Sequence, residues 1–112
     1  KSEHLIKSFE YAFDGIIYCF RASLNFRIHL LFTFLVFLFA YLLKINQVEF
    51  LILIATVTSV LVLEILNTSI ESLVDLVTER KFRKLAKIAK DCAAASVLLT
   101  SINSLFSCFT YL

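Results

Sequence analysis

The feature that most constrains this chain is a polar helical face that directly follows an uncharged apolar run. Residues 50–63 carry no charged side chain, and polar residues then recur at helical spacing as Glu64, Asn67, Glu71 and Asp75. At about 100° per residue, these four side chains fall within about 80° of one another. A carboxylate that faces lipid near the middle of a bilayer costs about 2.5–3.5 kcal/mol. A chain that accepts this cost more than once is expected to use the face for chemistry or transport.

The composition around this face is typical of a helical membrane protein. Of 112 residues, 60% are hydrophobic, Gly occurs once and Pro not at all, and the mean hydropathy is +0.87. A soluble domain of this size is closer to half apolar and needs turn residues. Backbone groups in lipid must be satisfied within helices or closed barrels, and the alternating pattern of a barrel is missing from the sequence. We therefore predict a single all-α integral membrane domain over residues 1–112.

Hydrophobic periodicity divides this domain into one amphipathic helix and three transmembrane helices. Residues 1–27 alternate polar and apolar at helical spacing, which is typical of a helix lying in the membrane interface. The other predicted segments are a first span over 28–44, a second over 48–78 with a cytoplasmic extension, a cytoplasmic basic connection over 79–90 and a third span over 91–112. The distribution of Lys and Arg predicts a cytoplasmic N-terminus and an external C-terminus.

Charge, cysteine spacing and span number disfavour several other classes of protein. The net charge of +2 is too small to predict nucleic-acid binding. The three cysteines lie far apart without a CxxC pair, which is typical of free thiols in helices. A small proton-coupled exporter would have a similar length and one embedded Glu, but it would have four spans with that Glu in the first. Here we count three spans, with Glu64 in the second.

Depth along the second span separates the roles of its polar residues. If hydrocarbon begins near Phe50, about 30 Å of helix ends near Ile70. Glu64 then lies roughly 9 Å inside the cytoplasmic boundary, Glu71 lies at it, and Asp75 lies just outside. A lipid hydroxyl could reach Glu64, while an aqueous anion with its metal could meet Glu71 and Asp75. This arrangement predicts a reaction between an aqueous and a membrane-dissolved reactant at the bilayer surface.

Two further polar residues open the third span on the same side of the membrane. Lys90 suits a phosphate contact, and Asp91 suits a charge partner at the helix N-terminus or a ribose contact. The alternative role for Lys90 is that of an ordinary basic residue in a cytoplasmic connection, with no ligand to bind. Because the sequence has no glycine-rich phosphate loop, any nucleotide would have to be held by helices.

Two blocks of this sequence closely resemble the prokaryotic diacylglycerol kinase / undecaprenol kinase family. The family pattern reads E-[IL]-x-N-[ST]-[AS]-I-E-x-x-V-D, followed a few turns later by A-K-D, and both blocks are matched by residues 64–75 and 89–91. Residues 7–16 and 25–29 also look like the family's surface helix and its entry to the first span, particularly in the undecaprenol kinase branch. The resemblance covers nearly the whole chain.

The resemblance implies a homotrimer of three-span subunits in the bacterial plasma membrane. It implies transfer of the γ-phosphoryl group of ATP, with Mg²⁺, to the hydroxyl of a membrane lipid, either undecaprenol or diacylglycerol. Such transfer needs mainly positioning and charge neutralisation. Carried over by position, the implied roles are general base for Glu64, positioning residue for Asn67, metal ligand for Glu71, and contacts to the nucleotide or its supporting network for Tyr11, Asp75, Lys90 and Asp91.

Two positions depart from the family pattern. Ser23 stands where the family usually places a Glu that helps to bind metal, and His4 stands where an Arg that contacts nucleotide often occurs. A hydroxyl is a much weaker Mg²⁺ ligand than a carboxylate. Three alternatives therefore remain open. The first is an active kinase with weaker metal and nucleotide binding, and the second is an active kinase in which Glu10 or Asp14 replaces the missing Glu on a shifted helix. The third is a catalytically degenerate member that serves as a non-enzymatic membrane subunit.

Overall fold

A computed structural model describes residues 2–111, and this part of the chain is entirely helical apart from short connections. Its elements are α1 (Ser2–Ala22), α2 (Leu24–Leu42), α3 (Gln47–Thr78) and α4 (Lys84–Tyr111). The last three are long and apolar enough to cross a membrane, which confirms the predicted all-α class with three such helices. Residue 1, the first of the predicted surface helix, and residue 112, the last of the predicted third span, lie outside the described residues.

Helix α3 is the centre of the bundle. Helix α4 runs against it over much of its length, α2 packs on it less extensively, and α1 touches the neighbouring parts of α2 and α3. The buried core between α2, α3 and α4 consists of Val36, Ala40, Leu53, Val57 and Cys108. Most other apolar side chains point outward. Because lipid tails are as apolar as these side chains, such an exterior suits a bundle that crosses a membrane.

The break between the first two helices lies at Ser23, before the predicted end of the surface helix at residue 27. Ser23 has an extended backbone (φ −114°, ψ 113°), and its hydroxyl accepts a hydrogen bond from the Phe26 backbone N–H at 3.1 Å. This is an N-cap, which satisfies a backbone donor that the first turn of a helix leaves unpaired. Residues 24–27 therefore belong to α2, whose 19 residues span ~28 Å. That length is close to the ~30 Å thickness of a bilayer core.

The turn between α3 and α4 is shorter than the predicted basic connection over residues 79–90. Glu79 and Arg80 both adopt the left-handed conformation (φ 54° and 64°), and the Arg80 N–H donates to the Asp75 carbonyl at 3.1 Å. This pair of residues ends α3 and reverses the chain, so that α4 begins at Lys84. Lys90 consequently lies nearly two turns inside α4, where its side chain can reach α3.

Candidate functional site

The polar face of α3 borders a cleft of about 340 Å³ beside the break between α1 and α2. The sequence-predicted residues that line it are Glu64, Asn67, Glu71 and Asp75. The opposite wall comes from the end of α1 and the start of α2, and consists of Tyr18, Ala22, Ser23, Leu24 and Asn25. Helical periodicity thus brings the four predicted α3 residues together, and the Ser23 break supplies the surface that faces them.

Glu64 is the most deeply buried of these residues, with only 2% of its surface exposed. Its Oε1 accepts a long hydrogen bond from the Ser23 hydroxyl at 3.5 Å. Its Oε2 receives no hydrogen bond from the described residues and lies 3.9 Å from Nε2 of His29. Burying a carboxylate oxygen without a donor is unfavourable, and such groups in native structures call for an explanation by function or by a bound ligand. Glu64 therefore has an oxygen available to an incoming donor.

Asn67 and Glu71 form a linked pair one turn further along α3. The Asn67 amide Nδ2 donates to Glu71 Oε1 at 3.2 Å, which orients the carboxylate. Asn67 Oδ1 is buried and has no partner among the described residues. Amide and carboxylate oxygens are hard ligands, and Mg²⁺ is typically bound by one or two carboxylates together with phosphate oxygens and water. This oxygen-only donor set fits such an ion.

The same donor set would not enclose a metal by itself. Within residues 2–111, no group of three His, Cys, Asp or Glu side chains is placed to hold a metal ion. A cation bound near Glu71 would therefore need oxygens from a ligand or from water to complete its shell. That requirement is characteristic of Mg²⁺ sites that form around phosphates.

Asp75 and Lys90 form an ion pair between α3 and α4. Lys90 Nζ donates to Asp75 Oδ1 at 2.6 Å. Asp75 lies roughly 38 Å of helix beyond Phe50, past the stretch needed to cross a ~30 Å bilayer core. The hydrogen bond from Lys90 holds the pKa of the Asp75 carboxyl below its usual range. The Asp75 carboxylate is therefore negatively charged near neutral pH and is paired with the ammonium group.

A second, basic cleft of about 530 Å³ adjoins this ion pair. Asp75 lines both clefts, so the Asp75–Lys90 pair stands at the boundary between them. The basic side chains around the second cleft are Arg80, Lys81, Arg83, Lys87 and Lys90. Such a concentration of cations next to a carboxylate-lined cleft suits an anion that reaches from one cleft into the other.

Three sequence-predicted residues, Tyr11, Lys90 and Asp91, do not line the polar cleft, although Lys90 reaches it through its bond to Asp75. Asp91 accepts a hydrogen bond from Lys87 at 2.7 Å along α4 and lines the basic cleft instead. Tyr11 is 65% exposed on α1 and lines neither of the two clefts. Tyr18, about two helical turns further along the same face of α1, lines the polar cleft. The roles of Tyr11 and Asp91 stay predictions.

Reasoning from the sequence misses two residues near the site, Tyr18 and His29, and misses the structural role of a third, Ser23. Ser23 is recognised there as a departure from a pattern, whereas its structural role is the N-cap of α2. The signal for that role, a Ser just before an apolar helix, is present in the sequence. Tyr18 has a weaker signal, its helical spacing from Tyr11. His29 has none, because only the packing of α2 on α3 brings it to Glu64.

The chain matches the family model of prokaryotic diacylglycerol kinase over residues 10–112. It is 44% identical over 99 residues to a diacylglycerol kinase of Synechocystis, a match that covers 88% of this chain and 57% of the relative. It is 37% identical to an undecaprenol kinase of Bacillus subtilis (88% of this chain, 79% of the relative). It is 32% identical to a diacylglycerol kinase of Haemophilus influenzae (86% and 80%).

The chain thus spans little more than half the length of the Synechocystis relative and about four fifths of the other two. The family match covers nearly all of this chain, including the polar face of α3, the α3–α4 turn and Lys90. Together with three helices that can cross a membrane, it confirms the family resemblance read from residues 64–75 and 89–91. The chain belongs to the prokaryotic diacylglycerol kinase family.

Proposed function

We propose that this chain is a lipid kinase that transfers the γ-phosphoryl group of ATP to the hydroxyl of a membrane lipid. The observation that carries the proposal is the buried Glu64 carboxylate, whose Oε2 lacks a donor, in a cleft shared with Asn67, Glu71 and Asp75. The relatives named diacylglycerol kinase and undecaprenol kinase support the same chemistry. Either lipid presents a hydroxyl on a hydrophobic molecule, which suits a buried base reached from the bilayer.

In the proposed reaction, Glu64 acts as the general base. The lipid hydroxyl gives its proton to Oε2 of Glu64 as the hydroxyl oxygen forms a bond to the γ-phosphorus. The bond between the γ-phosphorus and the oxygen that bridges to the β-phosphate breaks, and ADP leaves with that oxygen. The products are a phosphorylated lipid and ADP. Proton transfer to a positioned base of this kind contributes roughly 10²–10⁴-fold to a rate.

Asn67 and Glu71 are the residues that we propose for Mg²⁺. The unpartnered Oδ1 of Asn67 and the Glu71 carboxylate supply hard oxygen ligands on one helical face. When bound, Mg²⁺ neutralises charge on the phosphate oxygens during transfer. The hydrogen bond from Asn67 Nδ2 to Glu71 Oε1 restrains both side chains on this face.

For ATP, we propose that the phosphates lie along the boundary between the two clefts. Lys90 is held there by Asp75 and can bind a phosphate oxygen as a point charge. The basic cleft next to it stabilises the remaining negative charge of the triphosphate. Tyr11 and Asp91 are proposed as further nucleotide contacts, by family resemblance.

The membrane arrangement and assembly are also part of the proposal. Helix α1 exposes nearly all of its side chains, Cys19 being its buried residue, so its apolar side is free to lie in the membrane interface. We propose a cytoplasmic N-terminus and an external C-terminus in a bacterial plasma membrane, with the basic α3–α4 turn in the cytoplasm. The exposed apolar faces of the three spanning helices leave room for the homotrimer that the family resemblance implies.

Side-by-side phosphorylation assays test this function. The protein is purified into lipid–detergent mixed micelles and supplied with labelled ATP and either undecaprenol or diacylglycerol, with and without Mg²⁺. We expect Mg²⁺-dependent formation of one phosphorylated lipid, and the preferred acceptor identifies the substrate. Absence of labelled product with both lipids, from protein that remains folded, would contradict the proposal.

Ser23→Glu is the variant that separates an active kinase from a degenerate one. The Ser23 hydroxyl lies 3.5 Å from Glu64 Oε1, so a carboxylate at this position would reach the same cleft. We expect the Mg²⁺ concentration for half-maximal activity to fall about 10- to 100-fold, since an interaction with a charged group contributes about 1.5–3 kcal/mol. The measurement is a Mg²⁺ titration of the initial rate.

Ser23→Ala is the matched control because it removes the hydroxyl without adding a ligand. It should not lower the Mg²⁺ requirement, although loss of the N-cap should reduce the free energy of unfolding by about 1 kcal/mol. If both the wild-type chain and Ser23→Glu are inactive while they fold and associate normally, the non-enzymatic membrane subunit becomes the correct reading.

A further inference from the structure

His29 lies opposite the oxygen of Glu64 that has no hydrogen-bond donor. The N-cap residue Ser23 sets where α2 begins, and its hydroxyl faces Oε1 of Glu64. His29, in the second turn of α2, faces Oε2. The distance from His29 Nε2 to Glu64 Oε2 is 3.9 Å, which is too long for a direct hydrogen bond. One oxygen atom can lie at about 2.8 Å from each of these two atoms, which is an ordinary hydrogen-bond distance.

The same histidine also lines an apolar cavity of about 160 Å³ between α2, α3 and α4. The other side chains around it are Ile28, Phe32, Thr33, Val57, Val60, Ser101, Ser104 and Leu105. An apolar cavity of about 150 Å³ is known to stay dry and to bind benzene, so this one has room for about six carbon atoms. The imidazole therefore stands between a hydrocarbon-sized space and the Glu64 carboxylate.

From this geometry we infer that His29 binds the hydroxyl oxygen of the acceptor lipid. Its Nε2–H donates to one lone pair of that oxygen, while the hydroxyl proton points at Glu64 Oε2. The other lone pair remains free to attack phosphorus, and the carbons next to the hydroxyl occupy the apolar cavity. The inference rests on the proposed lipid kinase function, and it assigns to α2 the binding of the acceptor alcohol.

If His29 binds the acceptor hydroxyl, its substitution should change the KM for the lipid and not the KM for ATP. A histidine with only a structural role would not separate the two values. His29→Leu retains an apolar side chain but loses the donor, so the KM for the lipid should rise about 5- to 10-fold, the effect of one hydrogen bond. The KM for ATP should stay unchanged, because the basic cleft does not include this residue. His29→Gln can place an amide N–H near the same point and should recover most of the lost lipid affinity.

Thr56→Val is the control for the loss of a polar group inside the spanning region. Thr56 lies on α3, lines a different groove, and donates to the Ile52 carbonyl. This variant should leave both KM values unchanged. The inference is overturned if His29→Leu leaves the lipid KM unchanged, if His29→Gln is no better than His29→Leu, or if the KM for ATP rises equally.

Equilibrium binding without ATP keeps this test separate from the proposed function. A radiolabelled short prenyl alcohol and a radiolabelled short-chain diacylglycerol are titrated against wild type, His29→Leu and His29→Gln. We expect at least one alcohol to bind the wild type and to bind His29→Leu about 5- to 10-fold more weakly. Alcohol binding that depends on His29 in a protein without kinase activity would refute the kinase and support the acceptor site. If the protein has kinase activity but the His29 variants bind the alcohol as tightly as the wild type, only the assignment of His29 to the acceptor site is refuted.

Discussion

Glu64→Gln is expected to abolish phosphoryl transfer while nucleotide binding stays nearly intact. The amide cannot accept the proton of the lipid hydroxyl, so kcat should fall roughly 10²–10⁴-fold. Glu64 is the most buried residue of the cleft, whereas the proposed phosphate contact, Lys90, is bound to Asp75 near the end of α3. Removing the base should therefore leave the phosphates of ATP with their contacts. Single-turnover phosphorylation and equilibrium binding of a labelled ATP analogue measure the two quantities separately.

The stability of this variant and a matched control make the result decisive. Replacing a buried carboxylate that lacks a full set of partners with a neutral amide of similar shape removes an unfavourable burial, so the unfolding temperature should hold or rise. Glu3→Gln, at an exposed position near the start of α1, makes the same chemical change away from the cleft and should leave kcat unchanged. If Glu64→Gln reduced the rate of phosphoryl transfer and the affinity for the ATP analogue by equal factors, the proposal that the base lies deeper in the membrane than the phosphates would be contradicted.

The polar face of α3 could be predicted because it depends on one helix alone. Helical periodicity places Glu64, Asn67, Glu71 and Asp75 on one side whatever α3 packs against. The three apolar helices follow from hydropathy for a similar reason, since their lengths are set by the bilayer and not by particular neighbours. Both features are local in sequence, and the structure contains both.

What the sequence did not predict depends on single residues or on packing between helices. The reversal at Glu79 and Arg80 uses left-handed backbone at two residues without glycine, so no turn signal marks where α4 begins. This reversal decides that Lys90 lies well inside α4 and reaches Asp75. The approach of His29 to Glu64 requires α2 to pack on α3 in one register, which neither segment specifies alone.

Lys90→Gln is expected to raise the KM for ATP by about 10- to 100-fold, the effect of losing one or more hydrogen bonds to a charged group. Lys90 is the cation that joins the polar and basic clefts, through its 2.6 Å contact with Asp75. The substitution removes the proposed phosphate contact and also leaves the Asp75 carboxylate without its partner, so that it repels the phosphates. Initial rates at varied ATP and saturating lipid measure the change.

A charge-matched variant separates this role from that of an ordinary basic residue on the cytoplasmic side. Lys84→Gln removes the same charge from the same helix, but Lys84 does not line the basic cleft. A general attraction between the basic turn and ATP would give similar, salt-sensitive effects for both variants. A specific contact between Lys90 and ATP predicts a far larger rise in the KM for ATP in Lys90→Gln.

A double variant tests the part played by Asp75. The protein with both Asp75→Asn and Lys90→Gln should bind ATP more tightly than Lys90→Gln alone, because the unpaired carboxylate is gone. If the double variant is instead weaker by the full sum of the two single effects, Asp75 binds the nucleotide independently of Lys90.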